Sequence, residues 1–371
     1  MKIIIEKPLI TLGWEARTLS QKGFEKIEKC PCCEHDLSTL AKVSGPGKVI
    51  RIGICPICGH VTYIDRLTEK EIISFYSHSW DKAGMTRGPK PLREQEDGFA
   101  SIIESLGVKK ESLICDIGSG YGRTLAYLKR LGFSNLIGIE NSIHRADSSE
   151  RTWEIPILKG HFESKNVQDC LEKKKPVKIF IATHVLEHVY DPARFLKSAW
   201  ELQNDGDYFI IRVPNMAGEP IINILLFAPH MHSFTESSLQ SLLNNCGYNI
   251  VDRSNTTQNE IFYIARKENE NRTKNPIPAN EARIAYAKIE NELKPIKKYS
   301  RSIFWWEKKG LKTGALPLTR IKVLNRFITL FAKLLLQTKE RRAAIVNYKA
   351  GTDQSSDLEL SSKEDTWLFF K

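Results

Sequence analysis

The sequence lacks any hydrophobic run of about 18 residues, the minimum for a helix that spans a membrane. It also lacks internal repeats, and its first eight residues include an acid and a proline where a signal peptide would be apolar. We therefore expect a cytoplasmic globular protein. The chain has 371 residues, 41% of them hydrophobic, which is enough for two or three folded units.

Excess charge is absent from residues 1–265, which hold 32 basic and 32 acidic side chains. The net charge of +11 arises in residues 266–371, with 23 Lys and Arg against 12 Asp and Glu. A nucleic-acid groove in the main body would need a basic excess there, so we do not expect a nucleic-acid partner. A basic helical tail is typical of packing on its own domain or on a second subunit. The alternative is a peripheral contact with an anionic membrane at its inner face.

Cysteines are scarce outside residues 30–58, which contain five of the eight. They form two Cys-x2-Cys knuckles with 21 residues between them, and the four knuckle thiols are Cys30, Cys33, Cys55 and Cys58. In a cytosolic chain this spacing predicts a tetrahedral Zn²⁺ site of the zinc-ribbon type. Cys32 is left over, and His60 is an alternative ligand. Four protein ligands leave no open position, so we expect a structural metal.

Residues 113–140 hold the most informative pattern. An apolar run over residues 113–117 ends in three glycines at alternate positions, which are Gly118, Gly120 and Gly122. A second apolar run, over residues 136–139, ends in Glu140. Buried strands that end in glycines and in an acid are typical of sites for adenosine-containing cofactors. A nicotinamide site would place its third glycine one residue later, where this chain has Arg123.

Strand and helix patterns alternate from residue 112 to residue 247, which predicts a parallel sheet with helices on both faces. The last two strands, near residues 248–253 and 261–265, follow each other without a helix, so we expect an antiparallel finish at one edge. The fold class predicted is α/β, Rossmann-like. The predicted units are a zinc ribbon over 24–64, a helical lead-in over 65–111, a core over 112–266 and a basic helical extension over 280–350.

These motifs resemble those of class I S-adenosylmethionine (SAM)-dependent methyltransferases over about residues 95–265. An acid precedes the first glycine, and a Leu-Glu-His motif follows a later strand, at residues 186–188. The resemblance implies a seven-stranded sheet with an antiparallel last strand. It implies that the glycine loop holds the methionine portion, that Glu140 takes both ribose hydroxyls and that Phe162 lies against adenine. The expected cofactor-binding residues are Asp116, Gly118, Ser119, Gly120, Tyr121, Gly122, Glu140, Asn141, Phe162 and His184.

Three histidines are the candidate catalytic residues: His184, His230 and His232. His184 follows the strand over residues 177–183, on the sulfonium side of the expected cofactor, where a neutral imidazole could act as a base. The alternative for His184 and its neighbours Glu187 and His188 is that they orient a loop and cap a helix. His230 and His232 either line the acceptor pocket or belong to a loop that leads into a helix.

The order of zinc ribbon, core and extension resembles nucleotide-sugar C-methyltransferases and related enzymes of polysaccharide gene clusters. Those enzymes carry a Glu-His pair after the fifth strand that deprotonates the sugar. His232 aligns with that histidine, but Met231 replaces the glutamate. We therefore expect a small-molecule acceptor, such as a sugar, nucleotide-sugar or lipid-linked glycan, with O-methylation as the alternative to C-methylation.

An RNA methyltransferase whose zinc ribbon recognises the substrate is the main alternative function. The charge-neutral core argues against it, and so do residues 213–215, Val-Pro-Asn, which differ from the motif of base amino-methylation. A third class is a cofactor-binding protein without catalysis. The intact glycine loop and Glu140 argue against that class.

Overall fold

The computed structural model describes residues 3–5, 23–45, 48–78, 92, 98–218, 230–268 and 287–288. Residues Met1–Leu293 form one compact unit and Lys294–Lys371 a second, which lies wholly outside the described residues. Apart from residues 287–288, the predicted basic extension over 280–350 also lies outside them. The predicted domain boundaries stay predictions. Among the described residues, no helix is long and apolar enough to cross a membrane.

The N-terminal part is mostly β-structure. Its strands are β1 Ile3–Ile5, β2 Phe24–Lys26, β3 Ser38–Gly45, β4 Lys48–Ile54, β5 Val61–Tyr63 and β6 Asp65–Leu67. The helices that follow among the described residues are α1 Glu69–His78 and α2 Gly98–Ser105. Strands β3 and β4 form an antiparallel hairpin between the two cysteine knuckles, a feature that the cysteine spacing alone does not predict.

The C-terminal part of the described chain alternates strands with helices as the sequence predicts. The elements are β7 Ile114–Ile117, α3 Arg123–Arg130, β8 Leu136–Glu140, α4 Ile143–Trp153, β9 Ile157–Lys159, α5 Lys165–Glu172, β10 Ile179–Thr183, α6 Pro192–Glu201, β11 Tyr208–Pro214, β12 His232–Ser233, α7 Glu236–Asn245, β13 Tyr248–Asp252 and β14 Glu260–Lys267. Helix α5 was not predicted from the sequence.

Seven of these strands form one sheet in the order β13–β14–β11–β10–β7–β8–β9. All pairings from β11 to β9 are parallel, and β14 is antiparallel to both of its neighbours. The fold is therefore the Rossmann-like methyltransferase fold. The last strand lies inside the sheet and not at its edge, which β13 forms. This is consistent with the apolar run over residues 261–265, which is buried on both faces.

Helices α6 and α7 each begin at a side-chain cap. The Asp191 carboxylate accepts the backbone N–H groups of Ala193 and Arg194, both at 3.0 Å, and Pro192 is the first helical residue of α6. Thr235 caps α7 through a reciprocal pair of hydrogen bonds with Ser238. These caps fix where α6 and α7 begin, next to the carboxyl ends of the strands.

The cysteine module, which is the region predicted as a zinc ribbon over residues 24–64, is joined by specific contacts to the domain that contains the seven-stranded sheet. Strand β12 of the C-terminal part pairs with β5 and extends the N-terminal sheet to five strands. The Thr235 hydroxyl donates to the Cys58 carbonyl oxygen at 2.8 Å, and the Asn245 side-chain amide donates to the Cys32 carbonyl oxygen at 3.0 Å. Both ends of α7 therefore hold a cysteine knuckle in place.

Candidate functional site

The glycine loop leads from β7 into α3 and leaves open space beside its backbone. Gly120 has φ +57°, and a Cβ atom there would meet no atom of the described part of the chain within 4 Å. Gly118 has φ +71°, and a Cβ atom there would lie 2.6 Å from Val185 Cγ2. Glycine is therefore required at Gly118 by both backbone and packing, whereas the described residues leave the space beside Gly120 free for a ligand.

Glu140 ends β8 and holds the glycine loop. Its Oε2 accepts the Gly120 N–H at 2.8 Å, and its Oε1 accepts the Ser142 N–H at 2.8 Å. The residue is 8% exposed. Each carboxylate oxygen has a second lone pair, so both can also accept a hydroxyl hydrogen bond from a ribose. The geometry fits the predicted ribose contact, which stays a prediction.

Asp116 is a buried acid next to the loop. Burial, and then the negative charge of Glu140, raise the pKa of Asp116 to about 8. A cationic group at this position would stabilise the ionised carboxylate. The amino group of a methionine portion is such a cation, so the residue fits its predicted role.

Other predicted cofactor residues differ in what they contact. The Ser119 and Tyr121 hydroxyls are buried, and neither has a hydrogen-bond partner among the described residues. Such orphaned polar atoms in a glycine loop are consistent with a polar ligand. Phe162 packs edge-on against Phe180 and Phe195, with ring centroids 5.6 and 5.0 Å away, and its predicted adenine contact stays a prediction. Asn141 directly follows Glu140 and is half-buried.

His184 lies at the end of β10 between two carboxylates. Its Nε2 is 3.1 Å from Glu260 Oε1, and its Nδ1 is 3.4 Å from Glu187 Oε1. Burial acts to lower its pKa, but the two carboxylates outweigh burial and raise it to about 9. The imidazole is then mainly protonated at neutral pH. The predicted role as a base stays a prediction, and this environment favours the cationic form instead.

Sequence reasoning missed Glu260 and its partner Arg212. The Arg212 guanidinium donates to Glu260 Oε2 from Nε at 2.8 Å, and Glu260 also contacts His184. Glu260 lies 76 residues beyond His184. No local pattern marks it, because only the antiparallel pairing of β14 with β11 brings it to this edge.

His232 is buried at the junction with the cysteine module. Its Nε2 is 3.1 Å from the Val189 carbonyl oxygen, and its Nδ1 is 3.1 Å from His60 Nε2. A carbonyl only accepts, so Nε2 of His232 carries the hydrogen and Nδ1 accepts from His60. Burial lowers the pKa of His60 to about 3 and that of His232 well below its usual value. Both rings are therefore neutral. The buried pair joins the two parts of the chain, and the predicted acceptor-pocket role of His232 stays a prediction.

His230 lies elsewhere, with Glu187 and His188. The rings of His188 and His230 meet edge to face, with centroids 4.7 Å apart. One donor atom from each of these three residues lies within 4.8 Å of the others. The sequence placed His230 in an acceptor pocket but did not predict this grouping.

Four thiols meet in the cysteine module. The Sγ atoms of Cys30 and Cys58 are 3.6 Å apart, and Cys33 Sγ lies 3.4 Å from Cys55 and 3.5 Å from Cys58. A tetrahedron with sulfur ligands at about 2.3 Å has S···S edges of about 3.8 Å, so these separations fit one shared ion. His60 is not a member of the four-cysteine cluster.

A family model described as "Methyltransferase domain" matches residues 92–253. A search of curated proteins finds no match. Among solved structures, magnesium protoporphyrin IX methyltransferase from Synechocystis, determined with bound SAH, is 14% identical. That match covers 54% of this chain and 99% of the other, with a TM-score of 0.40. The YcgJ protein from Bacillus is 12% identical, over 48% of this chain and 100% of the other, with a TM-score of 0.39.

A SAM-dependent methyltransferase from Mesorhizobium loti is 14% identical, over 46% of this chain and 99% of the other, with a TM-score of 0.38. The family match, the strand order and the loop geometry together identify the domain. Residues 92–253 form a class I methyltransferase domain, and the protein is a SAM-dependent methyltransferase.

Proposed function

We propose that the enzyme transfers the methyl group to a hydroxyl of a small polyhydroxylated acceptor: a sugar, a nucleotide-sugar or a lipid-linked glycan. The observation that carries the proposal is the charged edge formed by His184, Arg212 and Glu260. Their side chains are 43%, 38% and 29% exposed, so they are accessible while held in ion pairs. Charged donors and acceptors of this kind suit hydroxyl groups.

The charged edge adjoins the glycine loop. Strand β10 pairs with β7 directly, with Ala182 opposite Ile117, so the residues that follow both strands are neighbours. The approach of Val185 to Gly118 shows the same adjacency. An acceptor held by the charged edge would therefore lie next to a cofactor bound at the loop, as in-line displacement requires.

O-methylation is favoured over C-methylation by the surroundings of Met231. Met231 is 2% exposed and packs with Leu67 and Ile72, so an apolar side chain fills the position of the glutamate in the C-methyltransferases. Carbon acids require strong assistance in losing a proton, whereas a hydroxyl is already a nucleophile. The missing glutamate is consistent with the easier reaction.

The acceptor class is tested with SAM labelled in its methyl group. The full-length protein is incubated with nucleotide-sugars, with lipid-linked glycans and with ribosomal RNA, and label in each product is counted. We expect label in a sugar-containing product that resists alkali, as an ether does. Label in RNA alone would refute the proposal and support the alternative in which the ribbon recognises RNA.

We also propose that the four clustered thiols bind one Zn²⁺ with a structural role. The Sγ separations support this, as do the backbone N–H groups of Cys32 and Cys58, which point at knuckle sulfurs from 3.4 and 3.5 Å. The ion would fix both knuckles against α7 through the Thr235 and Asn245 contacts. Elemental analysis tests the proposal, with one zinc per chain as the expected result.

A further inference from the structure

The grouping of Glu187, His188 and His230 has an unusual feature at its centre. Glu187 is 2% exposed, yet neither of its carboxylate oxygens accepts a hydrogen bond from the described residues. The nearest basic groups are imidazoles, with His184 Nδ1 at 3.4 Å and His188 Nε2 at 3.8 Å. A buried carboxylate without hydrogen bonds is costly unless another charge compensates it.

We propose that Glu187, His188 and His230 bind a divalent transition-metal cation, distinct from the ion at the cysteine cluster. Their donor atoms lie within 4.8 Å of one another. Ligands at about 2.1 Å from one ion lie about 3 Å apart when adjacent and about 4 Å apart when opposite, so small rotations of the side chains close the site. Both Glu187 oxygens, which accept no hydrogen bond from the described residues, would be available to the ion.

The donor set selects the kind of cation. Two imidazole nitrogens and one carboxylate oxygen suit Mn²⁺, Fe²⁺ or Zn²⁺, whereas Ca²⁺ takes six to eight oxygen ligands. Three protein ligands on one side of an octahedral ion leave about three positions open. The site therefore differs in kind from the cysteine cluster, where four thiols fill a tetrahedron.

The local fold holds the three ligands together. Glu187 and His188 lie in a single 3-10 turn, Leu186–His188, directly after β10. His230 precedes Met231, which is fixed by its apolar contacts and by the hydrogen bond from the Thr62 hydroxyl to its carbonyl oxygen at 2.8 Å. In the run His230-Met231-His232, the first side chain meets the ring of His188. The second packs with Leu67 and Ile72, and the third hydrogen-bonds to His60.

The role of the cation rests on the proposed hydroxyl acceptor. The 3-10 turn directly follows Val185, whose side chain lies next to Gly118. The cation would therefore lie beside the glycine loop, near the proposed acceptor. Acceptor oxygens would bind at the open positions of the ion. The ion would lower the pKa of a bound hydroxyl, which would then lose its proton to solvent more readily. The cation would thus position and activate the acceptor.

The test uses Mn²⁺. Nitrogen and oxygen ligands bind manganese, whereas a cluster of thiolates prefers zinc. The full-length protein is purified with its cysteine cluster zinc-loaded, and Mn²⁺ binding is followed by electron paramagnetic resonance and by calorimetry. We expect one Mn²⁺ per chain. Affinity should fall at least tenfold in Glu187→Gln and in His230→Ala, and should not change in the exposed control His144→Ala.

Affinity for SAM is measured in every variant to show that the fold is intact. Mn²⁺ binding that is absent from the wild type, or equally strong in all variants that still bind SAM, would overturn the inference. Methylation with and without Mn²⁺ is scored separately. Binding without any sugar methylation would refute the proposed function but not the site, and methylation without Mn²⁺ binding would refute only the site.

Discussion

Replacement of Glu140 is the sharpest test of the cofactor site, because one carboxylate serves both the protein and the predicted ligand. In Glu140→Ala, the N–H groups of Gly120 and Ser142 lose their acceptor. In Glu140→Gln, one amide oxygen remains, so it can serve only one of these two N–H groups while the amide nitrogen faces the other.

The expected magnitudes follow from these contacts. Hydrogen bonds to a charged group contribute about 1.5–3 kcal/mol each, so the alanine variant should lose about 2–4 kcal/mol of unfolding free energy once residual hydration is allowed for. The glutamine variant should lose about half of that. Loss of the ribose contacts should weaken cofactor binding in the alanine variant by about 1–3 kcal/mol, or about 5- to 150-fold in affinity.

Calorimetric titration with SAM and denaturant unfolding measure the two effects separately. Glu172→Gln is the matched control, because Glu172 is an exposed acid paired only with Lys175 on the described surface. We expect both quantities to be unchanged in the control. A folded Glu140→Ala protein that binds SAM within about twofold of the wild type would refute the ribose assignment and leave Glu140 as a loop anchor alone.

Three further predictions concern the cysteine cluster, Asp116 and Gly118. Cys33→Ser should remove the metal from the cysteine cluster and lower the melting temperature, whereas substoichiometric zinc in the wild type would contradict the zinc proposal. Because the pKa of Asp116 is about 8 and a bound cation should lower it, binding of SAM should release a proton. Affinity should then rise with pH up to about 8, and Asp116→Asn should flatten this profile; a flat profile in the wild type would contradict the contact. Gly118→Ala should destabilise the fold by about 1–3 kcal/mol more than Gly132→Ala, because both glycines have positive φ but only Gly118 would bring a Cβ against Val185. Equal losses in denaturant unfolding would refute the role of that clash.

Local patterns allowed much of the fold to be predicted. Strands β7 and β8 are short apolar runs buried on both faces, and their ends are marked by glycine and by an acid. The sheet that they begin, and the position of Glu140 at a strand end, follow from such signals. The interior place of β14 does not, because strand order depends on which faces the helices cover.

The region proposed to bind the acceptor could not be predicted in the same way, because its contacts join residues that are distant in sequence. Glu260 reaches His184, and His60 reaches His232, through pairings between strands far apart in sequence. The grouping of Glu187 with His230 likewise joins residues far apart in sequence. A His-x-x-Glu-His run after a strand, together with a later His-x-His, is the one signal in the sequence that could have indicated it.

The central claim is that the loop between β7 and α3 holds the cofactor of a methyl transfer. A crystal structure of the full-length protein with S-adenosylhomocysteine tests this directly. The account predicts that both ribose hydroxyls lie about 2.5–2.9 Å from the Glu140 carboxylate and that the cofactor lies beside the backbone of Gly120. Electron density for the cofactor at any other place, or no cofactor density beside the loop at saturating concentration, would contradict the claim.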